Sequence, residues 1–178
     1  MYIDRIAVGT HFPDDVNVIV EIPMHYNTVK YEMDKVSGAL CVDRFIQTAM
    51  YYPCNYGFIP HTVAGDGDPV DALVITSYPI MPAACIPTRP IGILLMQDES
   101  GPDEKIIALP TTKIAPEFAH IEDIEQVDPL LKKRIIHFFN HYKELEQGKW
   151  VKVEGFESKK KAMTYLIDAA SKNEPYRQ

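Results

Sequence analysis

The sequence has few cysteines, no basic excess, no long apolar run and no repeat. Its three cysteines, Cys41, Cys54 and Cys85, are odd in number, widely spaced and free of any CxxC pair. That pattern speaks against a disulfide framework or a zinc knuckle and fits reduced thiols. Lys and Arg total 18 against 25 Asp and Glu, a formal net charge of -7 at neutral pH. An acidic surface repels nucleic acid and anionic membranes, although it can still receive an anion through bound metal ions. No stretch approaches the ~20 apolar residues of a membrane-spanning helix. The opening Met1-Tyr2-Ile3-Asp4-Arg5 lacks the basic and apolar regions of a secretory signal. A cytoplasmic protein with neither a membrane nor a nucleic-acid partner is expected. The 178 residues contain no Ser/Gly-rich linker. At roughly 100–200 residues per domain, a single domain over 1–178 is expected, with a loose end over 173–178.

What the sequence does have is proline, 14 residues against a typical ~5%, and these cut the first two thirds into short pieces. Short pieces between breakers read as strands. Over 16–22, Val16, Val18, Val20 and Ile22 alternate with Asn17, Ile19 and Glu21, which predicts a half-buried strand. A second alternation over 30–34 leads through a hairpin turn at 36–39 into a strand over 40–45. Further strands are expected at 70–76, 91–96, 105–109 and 150–156. The clearest helix begins at the Asp128 cap with Pro129 in its first turn, and Leu131, Ile135, Phe138, Tyr142 and Leu145 form one apolar stripe up to Gly148. A second helix is expected to start at the Ser158 cap, turn Ala162, Leu166 and Ala169 inward, and end before Pro175. The fold class is therefore mainly β with flanking helices: a small antiparallel barrel, extra strands and two α-helices.

The densest chemical feature is Asp66-Gly67-Asp68-Pro69-Val70-Asp71. Carboxylates suit hard cations such as Mg²⁺ or Mn²⁺, and no Cys or His lies nearby in sequence to favour zinc. The same residues are turn formers, and from this stretch alone both readings stand. An EF-hand fails on spacing, since Asp71 occupies the required glycine position and Ser77 stands where the bidentate Glu belongs. A second acidic set, Asp98, Glu99, Asp103 and Glu104, flanks a Gly101-Pro102 turn. Alone it is a solvated hairpin tip. Facing the first cluster across a small barrel, it would call for cations. A third set mixes Lys30, Glu32 and Arg44 with the aromatic run Tyr51-Tyr52-Pro53-Cys54-Asn55-Tyr56-Gly57. Lys and Arg are natural phosphate ligands, and Tyr142-Lys143 places a phenol beside an ammonium at the core-facing edge of the helix. His137 and His141, one turn apart off the stripe, could be a metal pair, a solvent face or an oligomer contact.

Taken together, Glu21, Lys30-x-Glu32, Asp43-Arg44, Tyr52-Pro53-x-Asn55-Tyr56-Gly57, the Asp66 to Asp71 run, Asp98-Glu99, Asp103-x-Lys105 and Tyr142-Lys143 make the chain resemble the soluble inorganic pyrophosphatases of family I, bacterial type, over residues 21–156. The resemblance implies a five-stranded OB-like barrel, inorganic pyrophosphate as substrate, several Mg²⁺ ions per site, and a homo-oligomer, commonly a hexamer. It implies metal ligands at Asp66, Asp71, Asp98, Asp103 and Glu32, with Asp71 bridging, and a general base at Asp68. Lys30, Arg44, Tyr56, Lys105, Tyr142 and Lys143 are implied as phosphate ligands, Arg44 and Tyr56 among the catalytic group, and Glu21, Tyr52 and Glu99 as accessory residues. Two other readings use the same residues: an OB-barrel module stacking single-stranded nucleic acid on tyrosines, and a structural divalent-ion protein without turnover. The net charge opposes the first, and the second leaves Lys30, Arg44, Lys105 and Lys143 without a role.

Overall fold

The computed structural model describes residues 3–172. Five strands close into a ring: β1 (Val16–Ile22), β4 (Asn55–Phe58), β5 (Asp71–Val74), β8 (Lys105–Pro110) and β6 (Cys85–Asp98), which returns to β1. This is the expected five-stranded barrel. One of its pairs, β5 with β8, runs parallel, while the others are antiparallel. Outside the ring, β2 (Val29–Met33) and β3 (Leu40–Phe45) form a separate hairpin, and β7 (Gly101–Pro102) and β9 (Val151–Ser158) extend β6. Three strands depart from the sequence reading, the first being the two-residue β7, which occupies the expected Gly101-Pro102 turn. The stretch 55–58, masked in sequence by its tyrosine and asparagine, is a barrel strand, and the strand expected at 91–96 is 14 residues long. That long strand bends past its prolines where the register slips between Pro90 and Gly92, the kind of irregularity at which a strand tolerates proline. Gly92 permits close approach there, since a Cβ would lie 2.7 Å from the Ile124 side chain.

Alternation along the strands sends side chains into two cores. Leu73, Ile107 and Leu109 join the cluster closed by Ile135, Phe138 and Phe139 of α1 (Pro129–His141). Ala72, Val74, Ile106 and Ala108 join the one closed by Ala162, Leu166 and Ala169 of α2 (Lys159–Ser171). Because both faces are covered, β1 is not half-buried as its alternation suggests: of its residues only Asn17 keeps appreciable exposure. Helix α1 starts as expected, with the Asp128 carboxylate accepting from the Leu130 N–H at 2.9 Å. It ends earlier, at His141, and Leu145, the last residue of the predicted stripe, is 67% exposed. The chain leaves the helix where Lys143 turns to meet Asp98. Ser158 makes no side-chain cap; the Lys159 N–H donates instead to Asp123, 36 residues away in sequence, at 3.0 Å. Helix α2 ends at Ser171, before Pro175 as expected, and the expected loose end at 173–178 lies outside the described residues. Among the described residues no helix is long and apolar enough to cross a membrane.

Candidate active site

Strand direction collects the chemistry at one end of the barrel. Asp71 opens β5 and Lys105 opens β8, and because these strands run parallel the two residues are level neighbours. Strand β6 runs the other way, so Asp98 at its finish comes to the same end. The loop before β5 supplies Asp66 and Asp68. Its turn chemistry and its carboxylates coexist: Asp66 Oδ1 accepts the Asp68 N–H at 3.0 Å, and Gly67 takes the left-handed φ of +94° that a side chain would resist. Strand β4 brings Tyr56, and Gly57 beside it lets β4 cross β1, since a Cβ there would lie 2.0 Å from the Ile19 carbonyl oxygen. In β1 the register slips between Val20 and Ile22, and the extra residue at that bulge is Glu21, a buried carboxylate that accepts the Met33 N–H at 2.7 Å.

The result is a cavity of about 160 Å³. Seven carboxylates (Glu21, Glu32, Asp66, Asp68, Asp71, Asp98, Asp103) share it with five cations (Lys30, Lys35, Arg44, Lys105, Lys143) and with Tyr56 and Tyr142. The buried Lys105 ammonium donates to Asp71 Oδ2 at 2.6 Å and also to Asp103. Lys143 donates to Asp98 at 2.8 Å. Asp43 accepts from Lys30 at 3.0 Å and from Arg44 at 2.7 Å, and Arg44 Nε faces the Glu146 carboxylate at 3.2 Å.

These charges set the protonation states. Burial alone would pull the Lys105 ammonium down, but Asp71 and Asp103 outweigh it and hold the group above the ordinary lysine range. Burial pushes the Asp103 carboxyl up, with Asp71 and Asp98 adding to the rise and Lys105 opposing it. Partial desolvation, then the Asp66 charge, raises Asp68. Burial would raise Asp98 too, but the bonds from Lys143 and the Ser100 N–H outweigh it and leave Asp98 lowered. Burial, reinforced by nearby carboxylates, holds Tyr56 and Tyr142 far above the usual phenol range, so both remain protonated donors. Glu21 is raised to about 7, chiefly by desolvation.

Oxygen donors in excess, with no Cys or His in the lining, fit hard divalent cations. Among the described residues no three acidic, histidine or cysteine side chains already stand as a ready cage. Asp71 and Asp103 instead converge on an ammonium, which shows that the pair is aimed at a common cation. Of the residues singled out in sequence, Tyr52 and Glu99 lie outside the lining. Tyr52 is a core side chain 4.6 Å from the Phe138 ring, and Glu99 pairs with Lys149 at the tip of β6. His137 and His141 are also outside, with rings 4.7 Å apart and His141 facing Glu144 at 2.8 Å. Sequence reading passed over Lys35 and Glu146. Lys35 lines the cavity, lies 3.9 Å from Glu21 and 3.8 Å from Glu32, and covers the Phe58 ring. It follows the Lys30-x-Glu32 pair by only three residues, the one available signal. Nothing in sequence links Glu146 to Arg44.

The family described as "Inorganic pyrophosphatase" matches residues 18–174. The chain is similar to the inorganic pyrophosphatase of Rickettsia felis, 56% identical over 174 residues that cover 96% of this chain and 100% of that one. The Salmonella typhimurium inorganic pyrophosphatase is 52% identical over 163 residues, 92% of this chain and 93% of the relative. Among solved structures, an inorganic pyrophosphatase from Coxiella burnetii superposes with a TM-score of 0.92 at 44% identity, covering 94% of this chain and 99% of that one.

Proposed function

Given that the chain belongs to the inorganic pyrophosphatase family, we propose that it hydrolyses inorganic pyrophosphate to two phosphates in the carboxylate-rich cavity, with Mg²⁺ as the working cation and Mn²⁺ as a substitute. The enzyme is an inorganic diphosphatase. The observation that carries the site assignment is the mixture in one cavity: carboxylates in excess to hold cations, and cations plus phenols in place to hold phosphates.

Pyrophosphate is a small polyanion, and hydrolysing it takes positioning and charge neutralisation more than covalent chemistry. Asp66, Asp71, Asp98, Asp103 and Glu32 would hold the divalent ions, and the resemblance supports Asp71 as the ligand shared between two of them. Bound there, such ions neutralise substrate charge and acidify water. Asp68, which lines the cavity and has a raised carboxyl, would take the proton from the attacking water as general base. Lys30, Arg44, Lys105 and Lys143 donate to phosphate oxygens as the carboxylates turn to the cations, and Tyr56 and Tyr142, protonated throughout the physiological range, donate from their hydroxyls. Glu21 and Lys35 brace the wall, while Tyr52 and Glu99 support it from outside the lining.

We place the enzyme in the cytoplasm as a single domain. A homo-oligomer, a hexamer by family resemblance, is the proposed assembly, and the His137–His141 face is its candidate contact. A nucleic-acid module loses ground because a carboxylate-lined pocket repels phosphodiesters unless cations bind first. The deciding measurement is phosphate release from pyrophosphate with and without Mg²⁺, run beside ATP and an organic diphosphate. Release that is fast, Mg²⁺-dependent and selective for pyrophosphate is expected. Absence of release with Mg²⁺ or Mn²⁺ would sink the reading.

A further inference from the structure

The β2–β3 hairpin carries Lys30, Glu32 and Arg44, yet its two strands form a separate sheet and take no part in the barrel's hydrogen-bond ladder. Its hold on the site therefore depends on side chains. At the β2 end, Glu21 on the barrel accepts the Met33 N–H. On β3, Leu40 packs against the cluster of Ile19 and Phe58, and the charged tie is Arg44 to Glu146, across 102 residues of sequence. Glu146 belongs to the turns after α1, the same segment that supplies Tyr142 and Lys143. Its side chain is only 13% exposed, so the pair is better shielded than an ordinary surface ion pair.

The geometry at Arg44 is specific. Nε faces Glu146, 3.2 Å from Oε2 and 3.4 Å from Oε1, and Nη1 donates to Asp43 at 2.7 Å. Two carboxylates thus hold the Nε–H and one hydrogen of Nη1, leaving Nη2 and the second hydrogen of Nη1 for a ligand in the cavity that Arg44 lines. Glu146 is not in that lining. From this we infer that Glu146 is a positioning residue: it fixes the Arg44 guanidinium, and with it the β3 side of the hairpin, so that a diphosphate meets a pre-aimed donor. Arginine loses much rotamer freedom when it is fixed, and a pre-aimed fork spares the ligand that loss. The inference rests on the diphosphate reading of the site.

The test compares the parent with Glu146→Ala, Glu146→Gln, Arg44→Lys and the Arg44→Lys/Glu146→Ala double variant. Binding of methylenediphosphonate, which cannot be hydrolysed at its bridge, is measured by calorimetry with Mg²⁺ present, beside kcat and KM for pyrophosphate. Glu146→Ala should weaken diphosphonate binding about tenfold, with a matching rise in KM and little change in kcat. Glu146→Gln keeps an acceptor for Nε–H and should recover most of the loss. In the Arg44→Lys background, which lacks that Nε–H, Glu146→Ala should add nothing. Parent affinity in Glu146→Ala, or an undiminished effect in the Arg44→Lys background, would overturn the inference. So would a Glu146→Ala chain that no longer folds, because the role would then be structural. Failure of the functional reading looks different: diphosphonate binding still depends on Glu146, but the parent releases no phosphate from pyrophosphate.

Discussion

The Lys105 ammonium lies 2.6 Å from Asp71 Oδ2, and the two residues are cross-strand neighbours in the barrel's parallel pair. Lys105 bonds Asp103 as well, so one buried cation serves two carboxylates. An internal lysine thus holds together acids that would otherwise repel each other. On the proposed reading, divalent ions held by Asp71 and Asp103 would free the same lysine for the anion.

Replacing Lys105 with Met should therefore destabilise the metal-free protein by about 3–5 kcal/mol, the usual cost of stranding buried charge by removing one partner. Mg²⁺ should restore part of the loss by taking over between Asp71 and Asp103. Urea unfolding in chelator and in Mg²⁺ reads both effects. A variant as stable as the parent in chelator would show that Lys105 does not hold the pair.

Asp68→Asn preserves the size of the side chain and most of the loop's turn bonds while removing the base. Phosphate release should fall by about 10²–10⁴, the range for loss of a general base, and Mg²⁺ affinity should stay within about threefold of the parent. Turnover near the parent rate would take Asp68 out of that role.

Glu21 gives a pH signature in chelator-treated protein. Its carboxyl is raised from 4.5 to about 7, with burial as the largest cause. A raised acid binds its proton more tightly folded than unfolded, so its contribution is fully present below about pH 4.5 and is lost as pH climbs to about 7. Glu21→Gln, neutral at every pH and still able to accept from Met33, should match the parent near pH 4. Above pH 8 it should exceed the parent by about 3 kcal/mol. Parallel stability curves for the two proteins across this range would refute the buried-acid account.

The three thiols should divide two to one. Cys41 and Cys85 are exposed, whereas Cys54 is buried with its thiol pushed up to about 12. At pH 8 a thiol reagent should modify Cys41 promptly and Cys85 more slowly, since burial raises the latter's pKa. Cys54 should react only after denaturation. Prompt reaction of all three would place Cys54 outside the core.

Much of this protein was legible locally. Asp128 and Pro129 announce the start of α1, the 36–39 turn announces the β2–β3 hairpin, and Ala162, Leu166 and Ala169 mark the buried face of α2. Each of these signals lies within a few residues of the structure it specifies. Errors came where distant residues decide the outcome. Asp123 caps α2 in place of Ser158, strand β1 is covered on both faces, and α1 stops at His141 as Lys143 turns toward Asp98.

The candidate site divides the same way. Residue types and short spacings, the Asp66 to Asp71 run above all, left a turn and a cation loop both open, and it was the resemblance carried by the whole ordered set of motifs that named the chemistry. Sequence order says nothing about which strands run parallel or which charges share a cavity. The level pairing of Asp71 with Lys105, the bulge that turns Glu21 inward and the hold of Glu146 on Arg44 all join segments far apart in the chain. Those relationships exist only once the barrel closes, since it is closure that excludes water and makes neighbouring charges count.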